Sequence, residues 1–354
     1  MSALLVTGAA GFIGTNFVHH WRRGHPDDLI VALDALTYAG VRANLAAFEG
    51  GPGFEFVHGD IRDQALVEQL LRGRAIDTIV HFAAESHVDR SITGPDAFIE
   101  TNIVGTHALL KAASAVWLDR GSPREGCLFQ HISTDEVYGS LGPDDPPFRE
   151  DTPFAPNSPY AASKAAADHL ARAYHRTFGL PVVTSNCSNN YGPYQFPEKL
   201  IPLFLTNILR GKPLPVYGDG RQIRDWLHVD DHCRAIELCI RKGRRGETYN
   251  IGGDSERANI DLIQALCAIV DQRFAGDPAL AGRFPHVPPA AGGKSASLIT
   301  HVADRPGHDT RYAIDAGKIK RELGYRPQTS FTAGLAQTVD WYLSRTTSNP
   351  ATGS

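Results

Sequence analysis

The stretch Ala3 to Gly14, ALLVTGAAGFIG, decides how the chain folds. Gly8, Gly11 and Gly14 follow a short apolar strand and open a helix. Asp34 ends the next apolar run, LIVALD, twenty residues beyond Gly14. Glycines at this spacing let the chain turn tightly, let its amides approach a pyrophosphate and let the helix pack against the strand; the helix N-terminus favours the negative charge. A carboxylate at Asp34 accepts hydrogen bonds from ribose hydroxyls and repels a 2′-phosphate. Ala35 and Leu36 supply no arginine to bind such a phosphate, the nearest being Arg42. The pattern therefore predicts NAD rather than NADP as the cofactor.

Outward from that loop, LLVTG, FVHHWRR, LIVALD, FEFVHGD, LVEQLLR and DTIVHFAA alternate apolar strands with amphipathic helices. Strands that read as continuous apolar runs belong to a parallel sheet covered on both faces. The expected fold class is α/β, a Rossmann-type doubly wound parallel sheet with a smaller, mostly C-terminal substrate-binding domain. The predicted division gives residues 1–188 to the NAD-binding domain, with 225–258 returning to it. Residues 189–224 and 259–345 are expected to form the smaller substrate-binding domain, and 346–354 a flexible tail. GPDDPPFREDTPFAPNSP reads as a loop beside the site, before a helix that begins near Tyr160. The stretch from Phe274 to Leu298 reads as irregular, either a cover over the nucleotide pocket, a protein contact or a flexible insert.

Composition narrows the function. The chain has 354 residues, 35 Lys and Arg against 39 Asp and Glu, and a net charge of −4 with no basic run, which argues against a nucleic-acid binder. Hydrophobic residues at 42% and charged residues at 21% suit a globular protein with ample core. No apolar run approaches membrane-spanning length, and the N-terminus shows no secretory pattern, so a soluble cytoplasmic protein is expected. The five widely spaced cysteines, Cys127, Cys187, Cys233, Cys239 and Cys267, are expected to be free thiols.

Tyr160 and Lys164 stand four apart in PYAASKAAADHL, on one face of a helix. An ammonium beside a phenol is expected to lower the phenol pKa from its usual value of roughly 10 towards neutrality, making Tyr160 a base for an alcohol proton. Asp135 and Glu136 adjoin at the end of a predicted strand, offering a proton donor and a base if their surroundings differ. In HVDDH, His228, Asp230, Asp231 and His232 could suggest a metal site. The preferred reading has the two aspartates capping a helix, with no metal.

The glycine loop, HFAAESHVDRS and YxxxK together resemble the extended short-chain dehydrogenase/reductase superfamily over nearly the whole chain. Within it, STDEVYG is similar to the nucleotide-sugar 4,6-dehydratases, whereas 4-epimerases generally carry small or hydroxyl residues where this chain has two acids. NNYGPYQFPEKLIP, VYGDGRQIRDWLHVDDHCRA and DRPGHDTRYAID point the same way, to dTDP-glucose as substrate. The resemblance implies catalytic roles for Thr134, Asp135, Glu136, Tyr160 and Lys164. For the cofactor it implies Gly8, Gly11, Phe12, Ile13, Gly14, Asp34, Asp60, Ile61, Ala83, Ala84, Thr101, Tyr160, Lys164 and Asn190. For the substrate it implies Ser86, His87, Thr134, Asn189, Lys199, Leu200, Pro215, Tyr217, Arg224, Asn259, Asp304, Arg305 and His308, with Asn189 and Arg224 on the diphosphate. It also implies a homodimer joined through two helices per subunit, and a product used for rhamnose or another deoxysugar.

On this reading Tyr160 takes the sugar 4-hydroxyl proton while the carbon 4 hydride moves to NAD, and the resulting ketone acidifies carbon 5. Glu136 then removes the carbon 5 proton, Asp135 protonates the departing 6-hydroxyl, and Thr134 holds the carbon 4 oxygen. The rivals are a UDP-sugar dehydratase, epimerase or decarboxylase, and a non-catalytic NAD-binding sensor.

Overall fold

The structure is a computed structural model that describes residues 2–119, 122–304 and 309–346. A seven-stranded sheet runs in the spatial order Thr248–Ile251, Val182–Cys187, Leu128–Thr134, Thr78–His81, Ala3–Thr7, Leu29–Asp34, Phe54–His58. Every neighbouring pair in it is parallel. The chain is therefore a doubly wound α/β protein, as its strand and helix alternation predicts. Strand order reverses between Leu29–Asp34 and Thr78–His81 on either side of Ala3–Thr7, which opens a crevice at the carboxyl ends of these strands.

Both faces of the sheet are covered because its strands are apolar on both sides. Leu5, Val31, Ile79 and Phe129 pack against Leu109, Leu110 and Trp117 on one face. Leu4, Val6, Ile30 and Val80 meet Phe17, Val18 and Trp21 of the Phe12–Gly24 helix, with Cys233 and Ile236 of the Val229–Lys242 helix, on the other. The Pro159–Phe178 helix is placed by local sequence: the Ser158 hydroxyl accepts from the Ala161 amide at 3.1 Å, Pro159 takes the first helical position, and Gly179 ends the helix at φ 75°.

A separate core gathers Tyr191, Phe204, Leu266, Phe331 and Leu335 from the later part of the chain. Phe274, Leu280, Phe284 and Val287 belong to it as well, which corrects the expectation of an irregular 274–298. That stretch ends the Asn259–Gly276 helix, forms the short Ala279–Arg283 helix and delivers the strand Ile299–Val302 to pair in parallel with Leu214–Tyr217. Its apolar residues recur too irregularly to show a period, yet four of them are buried. All five cysteines are buried free thiols. Among the described residues no helix is long and apolar enough to cross a membrane.

Candidate active site

The crevice at the strand ends is a cleft of ≈ 370 Å³, and its floor is the glycine loop. Gly8 sits at φ +67°, where a Cβ would lie 2.6 Å from the Ala83 amide nitrogen, and a Cβ on Gly14 would lie 2.1 Å from the Gly8 carbonyl oxygen. Only glycine lets the Phe12–Gly24 helix start this close to the sheet. At Gly11 a Cβ would meet nothing nearer than that carbonyl at 3.3 Å, so the loop's cleft side is free for an approaching pyrophosphate. Asp34 accepts from the Ala10 amide with Oδ2 and the Leu36 amide with Oδ1, both at 2.8 Å. Burial raises its carboxyl, and these two bonds oppose that rise. Each oxygen retains a lone pair for a ribose hydroxyl. Every predicted cofactor residue, from the glycine loop through Phe12, Ile13, Asp34, Asp60, Ile61, Ala83, Ala84 and Thr101 to Tyr160, Lys164 and Asn190, lines this one cleft. The chain thus carries a fit for a dinucleotide: a turn that excludes side chains, a helix N-terminus and a carboxylate at the far strand end.

Thr134, Asp135 and Glu136 line the same cleft. They occupy the last residue of the Leu128–Thr134 strand and the start of a single 3₁₀ turn, Asp135–Tyr138, whose first residues the Thr134 hydroxyl caps by accepting from the Glu136 amide at 3.3 Å. The turn separates the two acids. Asp135 is 2% exposed and its Oδ2 has no hydrogen-bond partner, while Glu136 is only partly buried. Burial, then the charges of Glu136 and Asp225, hold the Asp135 carboxyl well above the usual carboxylate range. A protonated Asp135 beside a more accessible Glu136 is the split that acid and base roles require.

The Tyr160 phenol behaves differently from the expectation. Burial and the Glu136 and Cys187 groups hold it well above its ordinary value, and a hydrogen bond with Thr134 only partly offsets them. Lys164 is buried and donates from Nζ to the Ile132 carbonyl at 2.8 Å, and burial lowers its amine. In a dry site the desolvation of a phenolate outweighs one ammonium a helical turn away, so the protein alone does not bring Tyr160 towards neutrality.

The predicted substrate residues divide. Ser86, Thr134, Asn189 and Lys199 line the cleft, and Lys199 donates from Nζ to the Ser86 carbonyl at 2.9 Å. His87 lies outside that lining: its Nδ1 accepts from the Arg90 amide at 3.4 Å and its Nε2 is 3.6 Å from Glu198. Leu200 opens the Leu200–Leu209 helix and packs on the second core. Pro215, Tyr217, Asn259 and Asp304 gather around a turn of the smaller lobe, where Gln222 donates to Asp304 at 2.9 Å and accepts through its carbonyl from the Asn259 amide at 3.0 Å. Arg224 is buried outside the cleft lining, donating to the Ile223 and Asp309 carbonyls at 2.7 and 2.9 Å and lying 4.3 Å over the Tyr312 ring. Arg305 and His308 lie outside the described residues.

Cys187, Gln195, Phe196, Glu198 and Arg62 also line the cleft and escaped the sequence reading. Glu198 and Phe196 stand within the quoted FPEKL, beside Lys199, and Arg62 is held by Asp60 at 2.7 Å. In HVDDH, His228 rather than an aspartate caps the Val229–Lys242 helix, accepting from the Asp230 amide at 3.3 Å. Asp231 is used elsewhere, accepting from the Gln328 and Thr329 amides, while His232 meets Asn190 Oδ1 at 2.8 Å. Among the described residues no group of three or more His, Cys, Asp or Glu is placed to hold a metal ion.

Comparison with known proteins agrees with this geometry. The family profile described as GDP-mannose 4,6 dehydratase matches residues 5–338. The dTDP-glucose 4,6-dehydratase of Xanthomonas campestris pv. campestris is 57% identical over 98% of this chain and 95% of its own length. The crystal structure of the dTDP-glucose 4,6-dehydratase of Streptomyces venezuelae, which has NAD bound, superposes with a TM-score of 0.83 at 51% identity, covering 97% of each chain. The UDP-glucose 4-epimerase of Thermotoga maritima reaches a TM-score of 0.80 at 26% identity, covering 96% of this chain and 98% of its own.

Proposed function

The chain belongs to the GDP-mannose 4,6 dehydratase family, and on that premise we propose that it is an NAD-dependent hydro-lyase converting dTDP-glucose to dTDP-4-keto-6-deoxyglucose. The observation that carries this reading is the pair Asp135 and Glu136, one sealed and one accessible, in the same cleft as Tyr160 and Lys164. The epimerase shares the fold, so fold alone does not choose the chemistry; the acid pair does.

NAD, when bound, supplies the oxidising and then the reducing equivalent of an internal hydride shift from carbon 4 to carbon 6. The glycine loop holds its pyrophosphate and Asp34 its adenosine ribose, with Asp60, Ile61, Ala83, Ala84, Thr101 and Asn190 completing the walls. Tyr160 Oη would take the proton of the sugar 4-hydroxyl, the positive charge of a bound nicotinamide adding to that of Lys164 to favour the phenolate, with Thr134 hydrogen-bonded to the oxygen. Glu136 removes the proton on carbon 5. Asp135 gives its own proton to the 6-hydroxyl, which leaves as water. Glu136 then returns its proton to carbon 5. Asn189 and Arg224 meet the diphosphate, Arg224 as a guanidinium already fixed by backbone carbonyls. Lys199, Leu200, Pro215, Tyr217 and Asn259 form the nucleoside wall, and Ser86, His87, Asp304, Arg305 and His308 complete the substrate site.

The chain also works as a homodimer in this reading. Ile92, Ile99, Val104 and Phe178 are exposed large apolar groups on or beside the helices Thr106–Trp117 and Pro159–Phe178.

Incubating the protein with dTDP-glucose and no added cofactor, and following mass, tests the assignment. Loss of one water from dTDP-glucose, much slower loss from UDP-glucose and a stall at the 4-ketone in Glu136→Gln is the expected outcome. NAD retention without any change in either sugar would remove the dehydratase reading.

A further inference from the structure

Directly beneath the cleft lies a buried polar cluster to which the chemistry above gives no role. Asp168 sits on the Pro159–Phe178 helix one turn after Lys164 and is 5% exposed. Its Oδ1 accepts from His131 Nε2 at 2.9 Å, and its Oδ2 from the Ser133 hydroxyl at 2.9 Å and from Asn186 Nδ2 at 3.3 Å. Asn186 Nδ2 also reaches the Thr134 carbonyl at 3.2 Å. One carboxylate thereby ties the helix of Tyr160 and Lys164 to the strand that ends in Thr134.

All three donors are neutral. Burial lowers the His131 imidazole, so Nε2 carries the proton that Asp168 accepts. A buried carboxylate is costly unless a cation is near, and Lys164, buried one helical turn earlier on the same helix, supplies a positive charge. Asp168 in turn bears on Lys164. Burial lowers the Lys164 amine, and Asp168 is the largest influence opposing that fall. The other titratable groups around Lys164 are Tyr160 on its own helix, His131 and His81 on neighbouring strands and Cys187 on the next. Burial holds both histidines below their ordinary value and pushes the Cys187 thiol up to about 12.

We propose that Asp168 is the positioning residue of the Tyr160–Lys164 pair: its carboxylate sets a negative charge one helical turn from Lys164 on the same buried helix and, through Ser133 and Asn186, fixes the strand end that carries Thr134. The inference rests on the dehydratase reading for its effect on turnover. Its electrostatic core does not.

Two measurements test it. Asp168→Asn keeps the shape and removes the charge; kcat falls about tenfold or more, and the alkaline limb of its pH profile moves about one unit lower, because Lys164 loses its proton sooner. Ser133→Ala removes one hydrogen bond from the same carboxylate and both charges remain, so the limb keeps its position. An Asp168→Asn profile that drops by one factor at every pH, with the limb unmoved, overturns the proposal. The second measurement is a double-mutant cycle in urea with Lys164→Met, which needs no turnover and so stands even if the substrate assignment fails. Asp168→Asn destabilises less in the Lys164→Met background than in the parent. If Asp168→Asn alone does not fold, recovery of folding in the double variant supports the pairing. Additive losses, or a double variant that also fails to fold, overturn it.

Discussion

The two ends of the cleft are built in opposite ways. The cofactor end is made by the backbone of one short segment: ten residues from Thr7 to Asn16 contain the turn, the helix start and the packing contacts, and Asp34 on the adjacent strand completes it. The expected nucleotide end is scattered: Asn189 and Lys199 line the cleft, while Pro215, Tyr217, Arg224, Asn259 and Asp304 lie outside its lining on the smaller lobe, where Gln222 bonds both Asn259 and Asp304. A site made from backbone tolerates few side chains and leaves a spacing in the sequence. A site made from scattered side chains leaves none, and its specificity rests on the lobe being folded. The acid pair stands in the turn just past the end of a sheet strand, with Asp135 within electrostatic reach of Arg224 and Asp225.

The largest effect belongs to that pair. Glu136→Gln is expected to lower kcat by about 10² to 10⁴, the range for losing a positioned base, with NAD retention and dTDP-glucose binding preserved. Turnover follows loss of water by mass, and binding is read by calorimetry. A variant that lost cofactor as well would mean that the acid pair is not separable from the cofactor end.

Next come reciprocal changes of about tenfold each, or about 1.4 kcal/mol. Asp34→Ala removes the acceptor that organises the Ala10 and Leu36 amides and should weaken NAD retention about tenfold while KM for dTDP-glucose, measured at saturating NAD, holds. Arg224→Lys keeps the charge but loses the fork that spans Ile223 and Asp309, and should raise KM about tenfold with NAD retention unchanged. Crossed effects, with Arg224→Lys shedding NAD, would dissolve the distinction between the two ends.

That distinction also explains what was legible in the sequence. The doubly wound sheet follows from the alternation of apolar strands and amphipathic helices, and the glycine loop with Asp34 from a spacing set by local backbone geometry, whereas Asp60, Ile61, Ala83, Ala84, Thr101 and Asn190 follow only from the family resemblance. Phe274, Leu280, Phe284 and Val287 were not recognised as core, since short helices joined by turns bury residues without a sustained period. His87 is expected from a family position alone, and its ring caps the Val88–Thr93 helix beside the cleft. Tyr160 shows a subtler failure. Sequence spacing reports that Lys164 is close, but not that burial and Glu136 push the phenol the other way, since desolvation depends on elements far apart in the chain.

The smallest expected effect concerns stability, and it uses the same desolvation. Burial and the charges of Glu136 and Asp225 raise the Asp135 carboxyl well above its usual range in the folded protein. In the unfolded chain it ionises in the ordinary carboxylate range, near 3.9. Folding therefore takes up a proton at any pH between those two values. The contribution of Asp135 to stability is fully present below the ordinary carboxylate value and is lost as pH rises towards the raised folded value. Asp135→Asn carries no such proton. Its melting temperature should match the parent at pH 4 and exceed it by about 2 °C at the alkaline end of the stable range, while turnover is lost throughout. Differential scanning calorimetry across pH reads the slope directly. A difference that stayed flat with pH would mean that Asp135 is ionised in the folded protein, and with it the division of acid and base between the two carboxyls would fail.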